Sequence, residues 1–145
     1  MEHMREEIVV QAPIDHVWQF YCDTSRWRDW MPRMESAEFS GPVDQIGTEY
    51  VMRGKMLGFE FKGKYTIVEV EPHKLIHEHT SDNGVQDNYL RFEREGDATR
   101  LILDSDYTLP AHLPGFMTRG FFERSVRNML ADFKTLAEAT VPVPA

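Results

Sequence analysis

Apolar side chains recur every three or four positions along the C-terminal part of the chain. One continuous stripe consists of Phe122, Val126, Met129, Phe133 and Leu136. Charged side chains fall largely off this stripe, which is typical of an amphipathic helix. The pattern predicts a helix over residues 114–139, about 37 Å long if fully helical. Pro114 suits the first helical position, because the N–H that proline lacks has no partner there. A helix of this kind needs a broad apolar surface to cover.

Short elements open the chain. Residues 5–11 are rich in β-branched side chains and predict a strand. After Pro13 the apolar spacing changes to that of a short helix, carried by Ile14, Val17, Trp18 and Tyr21. A second short helix is predicted around Trp27 and Trp30, which lie one turn apart and serve as packing anchors. From residue 48 to residue 109, the alternation of apolar and polar residues predicts a meander of strands.

The alternation also predicts how the later strands pair. A turn at residues 95–98 sets Phe92 opposite Leu101, Leu90 opposite Leu103, Asn88 opposite Ser105 and Gln86 opposite Tyr107. A turn at residues 81–84 sets Leu75 opposite Leu90, His77 opposite Asn88 and His79 opposite Gln86. Val68 and Val70 join the same face. Because Tyr65 and Ile67 have the other parity, we expect a bulge near Gly63.

The predicted inner face of the sheet has an apolar half and a polar half. The polar half carries His77, His79, Gln86, Asn88, Ser105 and Tyr107. An unpaired buried polar group costs about 1–3 kcal/mol, so a face covered by a helix needs a reason to carry such side chains. Three explanations are open: the groups satisfy one another, they line a hydrated cavity with an amphipathic occupant, or part of the register is wrong.

Composition limits the classes of function. The 145 residues suit one domain over residues 1–145, and the net charge of −8 argues against binding nucleic acid. No apolar run approaches the roughly 20 residues of a membrane span, so we expect no stable membrane insertion and a cytoplasmic location. Cys22 is the single cysteine, which excludes an intrachain disulfide and a cysteine-based metal cage. No cofactor is expected.

Several motifs together resemble a known superfamily. They are APIDHVW, DTSRWRDWMP, GTEY and TRLILDSDYTLP, followed by the long helix. The chain is similar over its whole length to START-like (SRPBCC) proteins, in the polyketide cyclase/dehydrase and lipid-transport branch. The resemblance implies an α+β helix-grip fold: a curved seven-stranded antiparallel sheet around a long C-terminal helix, with two short helices after the first strand. It also implies a cavity for hydrophobic or amphipathic ligands, but it carries no fixed catalytic signature.

Two histidines are the candidate chemical groups of the predicted face. A strand places the His77 and His79 imidazoles about 6.5–7 Å apart. A metal would need a third ligand such as His112 or Asp87, and parity turns Asp87 outward, so no metal site is predicted. Hydrogen bonding to a ligand, or to Asn88 and Tyr107, suits these imidazoles better. Acid–base chemistry by His77, His79 and Tyr107 stays an alternative.

The first functional hypothesis is the binding or carriage of a lipid, polyketide or aromatic metabolite in a cavity between sheet and helix. The alternatives are a cyclase or dehydratase that acts on a polyketide-like substrate, and a protein-interaction module. The predicted ligand-binding residues are Leu75, His77, His79, Gln86, Asn88, Leu90, Phe92, Leu103, Ser105, Tyr107, Phe122, Val126, Met129 and Phe133.

Overall fold

A computed structural model describes residues 1–31, 33–56, 58–82, 84–109, 115 and 117–142, without the side chain of residue 56. The strands are β1 (Glu2–Val10), β2 (Met34–Phe39), β3 (Glu49–Met56), β4 (Phe59–Glu71), β5 (Leu75–Thr80), β6 (Gln86–Glu95) and β7 (Ala98–Tyr107). The helices are α1 (Ile14–Cys22), α2 (Trp27–Trp30) and α3 (Arg119–Ala139). No helix within the described ranges combines the length and the apolar character needed to cross a membrane.

The sheet and the helices confirm the predicted fold class. Seven strands form one antiparallel sheet in the order β1-β7-β6-β5-β4-β3-β2, and consecutive strands pair with each other from β2 to β7. The first strand, β1, pairs with the last strand, β7. Helices α1 and α2 follow the first strand, and α3 closes the fold. The predicted register of the last hairpin is also confirmed, with Phe92 opposite Leu101 and Gln86 opposite Tyr107.

The predicted register of β5 is wrong by one residue. Thr80, rather than His79, lies opposite Gln86, because the loop between the two strands spans residues 81–85. Side chains alternate along a strand, so a slip of one residue transfers every side chain to the other face. Leu75, His77 and His79 therefore lie on the outer face of the sheet. Their inner positions belong to Ile76, Glu78 and Thr80, which follow the parity of Leu90, Asn88 and Gln86.

A bulge interrupts the pairing of β4 with β5, but at Val68 and not near Gly63. Ile67 and Val70 point inward on either side of it, whereas Val68 is 41% exposed, so the predicted inner position of Val68 is wrong. Gly63 pairs regularly with Met52. Its role is in packing: a Cβ at this position would come within 2.9 Å of the Tyr65 ring. The glycine thus lets an aromatic ring lie against the sheet.

A cluster of aromatic rings closes one end of the fold. Trp27 is fully buried and its indole N–H donates to the Tyr21 carbonyl oxygen over 2.7 Å, while Trp30 packs edge-to-face on Phe133. Both tryptophans are core anchors, as predicted. The C-terminal half of α3 enters this core through Phe133 and Ala137, and the buried residues of the helix all lie from Leu130 onward.

The long helix begins at Arg119, three residues before the first member of its apolar stripe. Thr118 is its N-cap, and the Thr118 hydroxyl oxygen accepts a hydrogen bond from the Phe121 N–H over 3.2 Å. The predicted start at Pro114 lies outside the described residues, as does His112. The end at Ala139 agrees with the prediction.

Candidate functional site

A cavity of about 660 Å³ lies between the inner face of the sheet and α3. The N-terminal half of the helix forms one wall of it, because Phe122, Val126 and Met129 face the cavity and are only half-buried. The sheet supplies most of the opposite wall. Its apolar lining residues are Met4, Met34, Tyr50, Met52, Phe61, Tyr65, Ile76, Leu90, Leu101 and Leu103. The remaining apolar lining residues are Tyr21, Trp30, Met31, Leu130, Ala131 and Phe133.

Glycine at position 54 helps to keep this space open. A Cβ there would come within 2.4 Å of the Phe61 ring and 2.2 Å of the Arg33 carbonyl oxygen. Both distances are shorter than any van der Waals contact, so a larger residue would push the Phe61 ring away from the sheet and into the cavity. Glycine at this position therefore lets the Phe61 ring lie close to the sheet, and the volume under the helix remains open.

A chain of polar side chains crosses the sheet side of the cavity. The Tyr50 hydroxyl donates to one oxygen of Glu78, and the Asn88 amide donates to the other over 3.0 Å. The Asn88 side-chain oxygen in turn accepts from the Ser105 hydroxyl over 2.7 Å and from the Gln86 amide over 3.0 Å. Three of the residues predicted from sequence, Gln86, Asn88 and Ser105, are thus joined. Glu78, the group that organises them, lies on the inner face because the register of β5 differs from the predicted one by one residue.

Burial controls the acidity of this cluster. Loss of solvation raises the pKa of the Glu78 carboxyl, although the hydrogen bonds from Tyr50 and Asn88 act in the opposite direction. The accessible part of the Glu78 side chain is turned to the cavity. Burial and, to a smaller extent, the charge of Glu78 also raise the pKa values of Tyr21, Tyr50 and Tyr65, so these phenols stay protonated and able to donate.

Arg33 joins the two walls near the exposed side of the cavity. Its Nη1 donates to the Ser125 hydroxyl of α3 over 2.9 Å, and its guanidinium lies 5.2 Å from the centre of the Phe121 ring. Arg33 and Ser125 both line the cavity, and Arg33 is exposed. This contact connects the loop before β2 to the first turns of the helix. Separation of the two would widen the opening.

The cavity contains a part of the predicted ligand-binding set. Its members in the lining are Gln86, Asn88, Leu90, Leu103, Phe122, Val126, Met129 and Phe133. Phe92 is buried in the aromatic core instead, against Trp18 and Tyr21. Ser105 lies beneath Asn88 and is fully buried. Tyr107 packs on Phe122 with its hydroxyl buried and without a partner among the described residues.

The outer face of the sheet holds the two candidate histidines. His77 Nε2 and His79 Nδ1 lie 2.8 and 2.9 Å from the same Asp87 oxygen, and the His77 ring stacks on Tyr89. The predicted bonds of these imidazoles to Asn88 and Tyr107 are therefore replaced by bonds to Asp87. Among the described residues, no group of three His, Cys, Asp or Glu side chains could hold a metal ion. The acid–base alternative loses the cavity location on which it depended.

Sequence reasoning missed Glu78, Tyr50 and Tyr65. Ile76 is the signal in the sequence that could have indicated Glu78, because the two residues share a parity: with Ile76 rather than Leu75 on the inner face, Glu78 is predicted there as well. Tyr50 and Tyr65 lie opposite each other and stack with their ring centres 5.1 Å apart. They lie on β3 and β4, two strands for which the sequence pattern predicted no pairing register.

Comparisons with known proteins agree with this architecture. A family model described as polyketide cyclase / dehydrase and lipid transport matches residues 1–138. None of the curated proteins matches the sequence. The fold is similar to that of a START superfamily protein from Mycobacterium smegmatis, with a TM-score of 0.77 at 14% identity over 94% of this chain and 97% of that one.

Two solved enzymes also have this fold. The Zhui aromatase/cyclase from Streptomyces sp. R1128 has a TM-score of 0.76 at 18% identity, over 98% of this chain and 96% of that one. Norcoclaurine synthase from Thalictrum flavum, solved in complex with dopamine and hydroxybenzaldehyde, has a TM-score of 0.72 at 17% identity, over 98% and 89% of the two chains. At these identities the likeness concerns the fold.

Proposed function

We propose, since the chain belongs to the polyketide cyclase/dehydrase and lipid-transport family, that it binds and carries a small amphipathic molecule under α3. A lipid, a polyketide or an aromatic metabolite would suit the site. The observation that carries this proposal is the cavity of about 660 Å³, which has apolar walls and one polar cluster. Pockets for small molecules have volumes of about 300–1,000 Å³ and few polar groups.

The lining supports an amphipathic occupant. Apolar side chains around an open space gain free energy when an apolar body displaces water from them, at roughly 25 cal/mol per Å². Polar groups at one end fix the orientation of the ligand. The Trp30 indole N–H adds to them, because it is buried without a partner among the described residues and its side chain lines the cavity. A ligand oxygen is a suitable acceptor for that N–H.

Carriage requires that the ligand can enter and leave. The N-terminal half of α3 contributes few buried side chains, and Arg33 links it to the loop before β2. Movement of this half-helix would open the cavity without disturbing the core around Phe133. The norcoclaurine synthase complex shows that a protein of the same fold takes up small aromatic molecules.

Titration with the neutral fluorescent dye N-phenyl-1-naphthylamine tests the proposal. We expect one dye per chain with a blue-shifted emission. Val126→Trp, which fills the cavity from the helix, should weaken dye binding by about tenfold or more. Arg124→Trp is the matched control, because Arg124 is exposed on the same helix and does not line the cavity. Equal binding by both variants, or no binding by the unmodified protein, would refute the proposal.

A further inference from the structure

Charged side chains are few in the lining of the cavity. Among the described residues they are Arg33, Glu78 and Asp132. Arg33 and Asp132 are exposed, whereas Glu78 projects from the middle of β5 between the inward-pointing Ile76 and Thr80. The balance of charge within the lining is therefore negative, and the least exposed of the three groups is a carboxylate.

Neutral groups hold Glu78 in place. Its two oxygens accept one hydrogen bond each, from the Tyr50 hydroxyl and the Asn88 amide. The orientation of the Asn88 amide is fixed, because its own oxygen already accepts from Ser105 and Gln86. Glu78 is thus surrounded by donors that orient it without cancelling its charge. A buried carboxylate without a cation is energetically costly.

The described residues do not supply that cation. His77 is the basic group whose charge lowers the pKa of the Glu78 carboxyl, but it lies on the outer face and bonds to Asp87 over 2.8 Å. Arg33 contacts Ser125 and Phe121, and its backbone lies beside Gly54. Gly54 is four residues along β3 from Tyr50, a separation of about 13 Å in an extended strand. Arg33 is placed to hold the opening and not the carboxylate.

We propose that Glu78 makes the cavity select molecules that carry a protonated amine on an apolar or aromatic body. The ammonium group would bond to the Glu78 carboxylate, and the apolar body would lie between Leu103 and Met129. This inference rests on the proposed function and specifies the ligand class for the same site. Binding of a fatty acid or another anionic amphiphile would be disfavoured, because its negative charge would lie beside that of the Glu78 carboxylate.

Three probes with the same naphthyl body and different end groups test the selection: 2-(2-naphthyl)ethylamine, 2-(2-naphthyl)ethanol and 2-(2-naphthyl)acetate. Each is titrated at pH 7.5 against the complex with N-phenyl-1-naphthylamine. We expect the amine to bind about tenfold more tightly than the alcohol, and the carboxylate more weakly than the alcohol. In Glu78→Gln the affinity ratio of amine to alcohol should fall close to one. Glu38→Gln, which removes the same charge from an exposed position on β2, should keep the ratio of the unmodified protein.

The outcomes separate the two proposals. Equal binding of amine and alcohol to the unmodified protein, tighter binding of the carboxylate, or an unchanged ratio in Glu78→Gln would overturn the amine selection while dye binding still supports the cavity function. The amine selection would also be overturned if none of the three probes displaced the dye. Absence of dye binding would overturn both proposals. If Glu78→Gln does not fold, Glu78→Leu replaces it with the same expectation for the ratio.

Discussion

At the scale of single residues, stability and function make opposite demands on Glu78. The fold removes its carboxyl from bulk water and raises its pKa, while two hydrogen bonds compensate only in part. A fold that needed only a filled core would place an apolar residue here. A polar group retained at an energetic cost is typical of a binding or reaction site.

The first prediction concerns the pH dependence of stability at Glu78. Because its pKa is higher in the folded than in the unfolded chain, the protonated form favours folding. This contribution is present below the unfolded pKa and is lost as pH rises through the folded pKa. Glu78→Gln removes the loss, so we expect it to be more stable than the unmodified protein at pH 8, by about 1 kcal/mol, and no more stable at pH 4. Urea unfolding at both pH values measures the difference, and a variant that is less stable at pH 8 would contradict it.

Asp104 on the outer face is the opposite case. Arg5 donates two hydrogen bonds to it over 2.7 and 2.9 Å, and Arg91 donates a third over 2.6 Å. The hydrogen bond from Arg5 is the main cause that lowers the pKa of Asp104. The ion pairs therefore contribute stability above the unfolded pKa and lose it as pH falls through the folded pKa.

The second prediction follows from this network. Asp104→Asn should lower the free energy of unfolding at pH 7 by about 1 kcal/mol, a modest value because solvent screens the exposed arginines. The difference from the unmodified protein should shrink between pH 5 and pH 3. Asp106→Asn is the control: Asp106 lies two residues further along β7 and pairs with the exposed His3. If both variants lose the same free energy of unfolding, the hydrogen bonds from Arg5 and Arg91 stabilise the fold no more than the exposed pair of Asp106 and His3 does.

At the scale of elements, α3 has two halves with different tasks. The C-terminal half packs into the aromatic core through Phe133, whose ring lies 5.1 Å from those of Phe20 and Trp30. The N-terminal half covers the cavity, where Val126 and Met129 are only half-buried. A helix that is firmly packed at one end and loosely packed at the other can open at its loose end.

The third prediction measures this asymmetry. Phe133→Ala should cost about 3–5 kcal/mol, because it leaves a hole in a close-packed core. Val126→Ala should cost less than about 1 kcal/mol, because its side chain already borders open space. Chemical unfolding gives both values. Backbone amide exchange should also be faster in the first turns of α3 than around Phe133, and a uniform exchange rate along the helix would contradict the two-part description.

The same elements show what sequence could predict. The β6–β7 register followed from a short turn with Gly96 and Asp97 at its centre, and the stripe of α3 followed from regular spacing. The register of β5 did not follow from the sequence, because loops of four and five residues look alike there. A change of one residue in loop length moves every side chain of the strand to the other face of the sheet. That single step exchanged Glu78 for His77 and His79. The bulge was required by the change of phase in β4, but the phase alone could not place it at Val68.

At the scale of the whole molecule, the cavity should couple ligand binding to folding. A ligand that binds only the folded chain raises the free energy of unfolding by RT ln(1 + [L]/Kd), about 2.7 kcal/mol at a hundredfold excess over Kd. The fourth prediction is a melting temperature that rises with each added increment of 2-(2-naphthyl)ethylamine. Val126→Trp should show little of this rise and Arg124→Trp all of it. A rise of the same size in both variants would locate the binding elsewhere.

The central claim is that the ligand lies inside the fold, under α3, and methyl NMR tests it most directly. Met4, Met34, Met52 and Met129 line the cavity, whereas Met117 is buried outside the lining and Met1 is exposed. With the methionine methyl groups labelled, we expect contacts between the naphthyl protons of the bound amine and the methyl groups of Met52 and Met129, and none to Met1 or Met117. Contacts to Met1 alone, or unchanged cavity methyl signals at saturating ligand, would contradict it.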